Sequence, residues 1–123
     1  MKNVLVVDNH KATLSVMESF LITYDYIPLL INSYSSISDI IKERKPDIII
    51  IEAMLHGQDG KIICKQIKED NRNKNIIIIL CSSYSDKLKD FKCYSADAIL
   101  MKPFTISDLK ILLDRFDTNT SLN

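Results

Sequence analysis

Several things are scarce in this chain, and each scarcity closes off a class of function. Glycine occurs twice, at Gly57 and Gly60, and both fall in one short loop. Proline occurs three times, and no stretch has the composition of a disordered or low-complexity segment. The three cysteines, Cys64, Cys81 and Cys93, are odd in number and lack a CxxC spacing. They read as reduced thiols in a cytoplasmic protein rather than as a disulfide or zinc framework. Net charge is absent too, since 16 basic and 16 acidic residues cancel, which argues against nucleic acid as the main partner. The longest apolar run, Ile76 to Cys81, is far too short to span a bilayer. Asp8 follows Met1 too closely for a signal peptide, so a cytoplasmic location is expected.

What is present is an ordinary globular composition, 46% hydrophobic and 26% charged over 123 residues, which suits one domain with one full core and leaves no room for a separate effector domain. The expected domain covers 1–117, with a frayed tail at 118–123.

The most informative stretch runs from Pro46 to Gly60. Ile48 to Ile51 are too few for a helix and too uniformly apolar for a one-sided strand, so they read as a strand buried on both faces of a parallel sheet. Glu52 follows directly and lands at the C-terminal edge of that sheet, where ligands bind in open α/β folds. Val4 to Val7 repeats the pattern and ends on Asp8, Asn9 and His10. Leu29 to Ile31 makes a weaker strand after Pro28. Ile76 to Cys81 ends on Ser82 and Ser83, and Asp97 to Met101 ends on Lys102, Pro103 and Phe104.

Helical spacing fills the intervals. Leu14, Met17, Leu21 and Tyr24 line a first helix with Asn9 or Thr13 as its N-cap. Ser36 and Asp39 form a capping-box pattern ahead of Ile37, Ile40 and Ile41, and Pro46 ends that helix. Asp59 caps a helix with Ile63, Cys64 and Ile67 inward. Leu88 and Phe91 support only a short, poorly amphipathic helix from about Ser85. Thr105 and Asp108 form a capping box before Leu109, Leu112, Leu113 and Phe116. Strand and helix therefore alternate five times, which predicts a parallel sheet between two helical layers, with Asp8, Glu52, Ser82 and Lys102 meeting at one edge.

Two carboxylates and a loop carbonyl suit Mg²⁺, which keeps several waters and needs few protein ligands. A lysine adds a mobile charge for a carboxylate or phosphoryl oxygen, and a hydroxyl at Ser82 could bond the same oxygen.

These motifs together resemble the response regulator receiver domain of two-component signalling. The resemblance runs from Val4-Leu-Val-Val-Asp8 through Pro46-Asp-Ile-Ile-Ile-Ile-Glu52 and Gly57-Gln-Asp-Gly60 to Leu100-Met-Lys-Pro-Phe104. It implies a three-layer α-β-α sandwich with a five-stranded parallel sheet, of doubly wound flavodoxin-like topology and strand order 2-1-3-4-5. It places Glu52 at the phosphoacceptor position, Ser82 at that of the switch hydroxyl and Lys102 at that of the lysine, whose bond to Pro103 is expected to be cis. It implies a weak Mg²⁺ site made by Asp8, Glu52 and the Met54 carbonyl, with Asn9 standing where the family has a second acid.

The departures point to altered chemistry. The family's acceptor is aspartate, and the added methylene of Glu52 moves the carboxylate by up to ~1.5 Å. Misplacing a nucleophile by that order costs about a hundredfold or more in rate. Asn9 removes a charge that would hold Mg²⁺, Ile99 stands where the family carries an aromatic switch residue, and His56 replaces a common loop proline. The longer Glu52 could instead reach Lys102 or Ser82, or pair with Lys102 as a structural salt bridge. Its single charge is a poor imitation of a phosphoryl group, which carries about two.

The resemblance implies a signalling module that acts by contact with a histidine kinase, a phosphotransferase or an output protein, as a monomer or weak homodimer. The alternative is a small Mg²⁺-dependent phosphoryl-transfer or hydrolase enzyme using Asp8 and Glu52. His10 and His56 offer a further option, a transition-metal site beside the two acids.

Overall fold

A computed structural model describes residues 2–117. The frayed tail expected at 118–123 lies outside these residues. Strands β1 (Asn3–Val7), β2 (Ile27–Ile31), β3 (Ile48–Glu52), β6 (Ile77–Ser82) and β7 (Ala98–Met101) form one sheet in the order β2-β1-β3-β6-β7. All its pairings are parallel. Counting only these five long strands, this is the expected order 2-1-3-4-5. The two intervening short strands, β4 (Met54–Leu55) and β5 (Gln58–Asp59), make a small antiparallel hairpin directly after β3.

Alternate residues of each strand supply opposite layers. Leu5, Val7, Ile49, Ile51, Ile78 and Leu80 pack on one side with residues of α2 (Ile37–Arg44) and α3 (Gly60–Glu69). Val4, Val6, Ile48, Ile50, Ile79 and Cys81 pack on the other with α1 (Lys11–Thr23) and α4 (Ile106–Arg115). The central strands are buried on both faces, and apart from Asn3 at the start of β1 they carry no polar residue before their C-terminal ends.

Helix ends follow the sequence in part. Asp59 accepts a hydrogen bond from the Lys61 amide, and Thr105 with Asp108 completes a reciprocal capping box. The α1 N-cap is His10, not Asn9 or Thr13, and its side chain makes no cap hydrogen bond. Tyr24 falls beyond α1 and is exposed, while Phe20 takes the buried place one turn earlier. Ser36 does not cap α2. Its backbone is already right-handed helical, because a 3₁₀ turn at Tyr34–Ser36 leads straight into the helix, and Ser33 caps that turn instead.

The fourth of the five expected helices, near Ser85, does not form. Two 3₁₀ turns, Ser85–Lys87 and Phe91–Tyr94, stand in its place, and Ser95 ends the second in the left-handed region at φ 66°. Leu88 is the deeply buried side chain of the stretch. Single anchors do not bury a helical stripe, so the chain settles for tight turns.

Candidate functional site

The C-terminal ends of β1, β3, β6 and the residue after β7 bring Asp8, Glu52, Ser82 and Lys102 to one edge. Asp8 is almost wholly buried at 3% exposure. Its Oδ1 accepts the His10 amide at 2.9 Å, which fixes the carboxylate relative to the loop entering α1. Its Oδ2 faces Lys102.

Lys102 Nζ is the centre of the cluster. It donates to Asp8 Oδ2 at 2.6 Å and to Glu52 Oε1 at 2.7 Å. The peptide between Lys102 and Pro103 is cis, and the Lys102 amide donates to the Ser82 carbonyl at 2.8 Å. Burial works to lower the Lys102 pKa, but the hydrogen bonds to Asp8 and Glu52 and their charges outweigh it, so the net shift is upward. The ammonium is therefore a fixed cation at neutral pH, and two carboxylates against one ammonium leave the trio with a single negative charge.

Glu52 reaches Lys102 and not Ser82. Its other oxygen, Oε2, lies 3.4 Å from the Met54 amide, and Met54 itself is exposed. Ser82 is buried at 1% exposure, and its Oγ accepts the Tyr84 amide at 3.0 Å. Asn9 is exposed and makes no hydrogen bond through its side chain among the described residues. Ile99 pairs with Leu80 on the neighbouring strand and is exposed. The histidines do not join the acids: His10 Nδ1 bonds Thr13 Oγ1 at 2.8 Å and His56 Nε2 bonds the Asn32 carbonyl at 3.1 Å. Among the described residues, no group of three or more His, Cys, Asp or Glu side chains is placed to hold a metal ion.

Two supports of the site escaped the sequence reading. Tyr34 donates its hydroxyl to the Glu52 carbonyl at 2.6 Å. Burial first, and then the Glu52 charge, pushes that phenol upward, so it stays a donor. Gly60 explains the second glycine. A Cβ there would stand 2.5 Å from the Glu52 carbonyl oxygen and 2.7 Å from the Tyr34 hydroxyl. The Gly60 amide in turn donates to the Ala53 carbonyl at 2.7 Å, so the loop after β3 folds back onto the strand end. Gly57, at φ 76°, and His56, at φ 50°, make the hairpin turn that positions this return. The sequence signal for Gly60 was its position at a cap, while Tyr34 carried none, because nothing in a weak strand end foretells a hydroxyl aimed at a distant carbonyl.

The cysteines are core residues or surface thiols. Burial pushes the Cys64 and Cys81 thiols up to about 12, and Cys93 is exposed.

Residues 4–114 match the family model of the response regulator receiver domain. The chain belongs to that family. Solved structures agree on the fold. Chemotaxis response regulator CheY4 of Vibrio cholerae is 20% identical with a TM-score of 0.85, covering 94% of this chain and 98% of its own. The response regulator TrrA from Thermotoga maritima, solved in complex with Mg²⁺ and BeF, is 23% identical with a TM-score of 0.83, covering 94% and 98%. The receiver domain of sensor histidine kinase PA1611 from Pseudomonas aeruginosa, with a magnesium ion coordinated in its active-site cleft, is 19% identical with a TM-score of 0.81, covering 93% and 95%. This receiver domain is therefore a module of two-component signalling with a flavodoxin-like fold. No helix among its described residues is long and apolar enough to cross a membrane.

Proposed function

We propose that this receiver domain signals through protein contact, with phosphorylation at Glu52 weakened or absent. The observation that carries this reading is the single ammonium of Lys102 shared between Glu52 and Asp8. Glu52 stands at the phosphoacceptor position, with Ser82 and Lys102 at the phosphoryl-contact positions and Ile99 at the switch position. For Glu52 to act as a nucleophile, its carboxylate would have to leave a part-buried, charge-assisted hydrogen bond.

The donor set fits Mg²⁺ poorly. Asp8 Oδ2 and Glu52 Oε1 are both turned to Lys102, the Met54 carbonyl would be the main-chain ligand, and Asn9 brings no charge. A Mg²⁺ ion would meet Asp8 Oδ2 and Glu52 Oε1 already bonded to the Lys102 ammonium and Asp8 Oδ1 already bonded to the His10 amide.

The partners of such a module are a histidine kinase, a phosphotransferase or an output protein in the cytoplasm, met as a monomer or weak homodimer. Ile99, Met101 and Ile106 are each 40–46% exposed around the last strand and helix, an apolar surface suited to contact. An enzymatic role for Asp8 and Glu52 has no comparable support.

Calorimetric titration with Mg²⁺ tests the reading. The wild type should give no saturable binding at micromolar Mg²⁺, whereas Asn9→Asp combined with Glu52→Asp should bind more tightly. Tight binding by the wild type would overturn it.

A further inference from the structure

Between α2 and α3 lies a cleft of about 550 Å³ that the chemistry at Glu52 does not use. Its volume is in the range of small-molecule sites. Isoleucines make its walls: Ile37 and Ile41 from α2, Ile63 and Ile67 from α3, and Ile76 ahead of β6. The charged residues lining it are Lys42, Lys45, Arg72 and Asp70. Asp70 is committed to Arg72, receiving Nη2 at 2.7 Å and Nε at 3.1 Å. Lys42 and Lys45 make no ion pair among the described residues. The acids of α2, Asp39 and Glu43, are absent from the lining, because at about 100° per residue they project from the opposite side of the helix. An apolar trough rimmed by the ammonium groups of Lys42 and Lys45, neither in an ion pair though Lys42 feels the charge of Asp70, is complementary to a small molecule with a hydrocarbon body and one anionic head.

We propose that this cleft binds an amphipathic carboxylate, its chain against the isoleucines and its head at Lys42 and Lys45. Ser38 and Gln66 stand beside it as uncharged donors. Tyr34 also lines the cleft, and its hydroxyl holds the Glu52 carbonyl. Occupancy is thereby reported at the strand end that carries Glu52, whether or not that residue is ever phosphorylated.

The test uses decanoate as the probe and decanol as its uncharged counterpart, added to the full chain labelled with ¹⁵N. Decanoate should produce saturable shifts centred on the amides of α2 and α3, and decanol should bind at least tenfold more weakly. Lys42→Glu with Lys45→Glu, both on exposed side chains, should keep the dispersed spectrum of the folded protein, with a small drop in thermal midpoint from charge reversal in the last turn of α2, and lose at least tenfold in decanoate affinity. The Ala53 amide should shift on saturation in the wild type and stay still in Tyr34→Phe. Absence of saturation, shifts spread over unrelated surfaces, or equal binding of decanol would overturn the site. Undiminished binding by the charge-reversed variant would overturn the placement of the head. An unmoved Ala53 amide in the saturated wild type would overturn the link to Glu52.

Discussion

Lys102 is the residue on which the edge depends. Among the described residues it is the one cation bonded to two carboxylates, with Asp8 and Lys102 side chains only 4% and 14% exposed. Removing one partner of a buried pair strands the other charge, at a cost of roughly 3–5 kcal/mol. Lys102→Met should therefore lower the unfolding free energy by about that amount, read from urea denaturation at neutral pH. The same pair makes stability depend on pH. The Lys102 pKa is raised above its ordinary value of 10.5 by folding, so its contribution is complete below about 10.5 and is lost as pH climbs through the raised folded value. Denaturation midpoints should fall more steeply above pH 10.5 in the wild type than in Lys102→Met. Asp8, Glu52, Ser82 and Lys102 were legible in the sequence because each ends an apolar strand. Which oxygens Lys102 would choose was not, since spacing fixes where a lysine starts and not where a flexible stem ends.

The loop after β3 and the stretch after β6 show how elements tune that edge. Gly60 is required by space: Gly60→Ala puts a methyl against the Glu52 carbonyl and the Tyr34 hydroxyl. Overpacking of this kind costs about 1–3 kcal/mol, and the thermal midpoint should drop accordingly, whereas Gly57→Asn should be tolerated better because asparagine accepts a positive φ. The stretch 85–94, built of 3₁₀ turns, should exchange its amides with deuterium faster than α1 and α3 in native-state exchange. Weak amphipathicity there was visible in the sequence. The outcome of turns instead of a helix was not, because Leu88 and Phe91 fit either geometry. Capping was legible where a cap residue met extended backbone, as at Asp59 and Thr105, and misleading at Ser36, where a preceding 3₁₀ turn had already committed the chain to helix.

At the scale of the molecule, buried strands alternating with amphipathic helices leave few arrangements, and the sheet order follows the family. Fold and chemistry then separate. The parallel sheet delivers polar residues to its edge whatever they are, so the receiver architecture survives Glu52, Asn9 and Ile99 intact. Of the three, Asn9 alone changes the charge at the edge, where the Lys102 ammonium offsets one of the two carboxylate charges that would draw a divalent cation. The most direct measurement is incubation with acetyl phosphate and Mg²⁺ followed by intact mass and peptide mapping, with Glu52→Asp alongside. The wild type should remain unmodified; a phosphoryl group mapped to Glu52 would contradict the account.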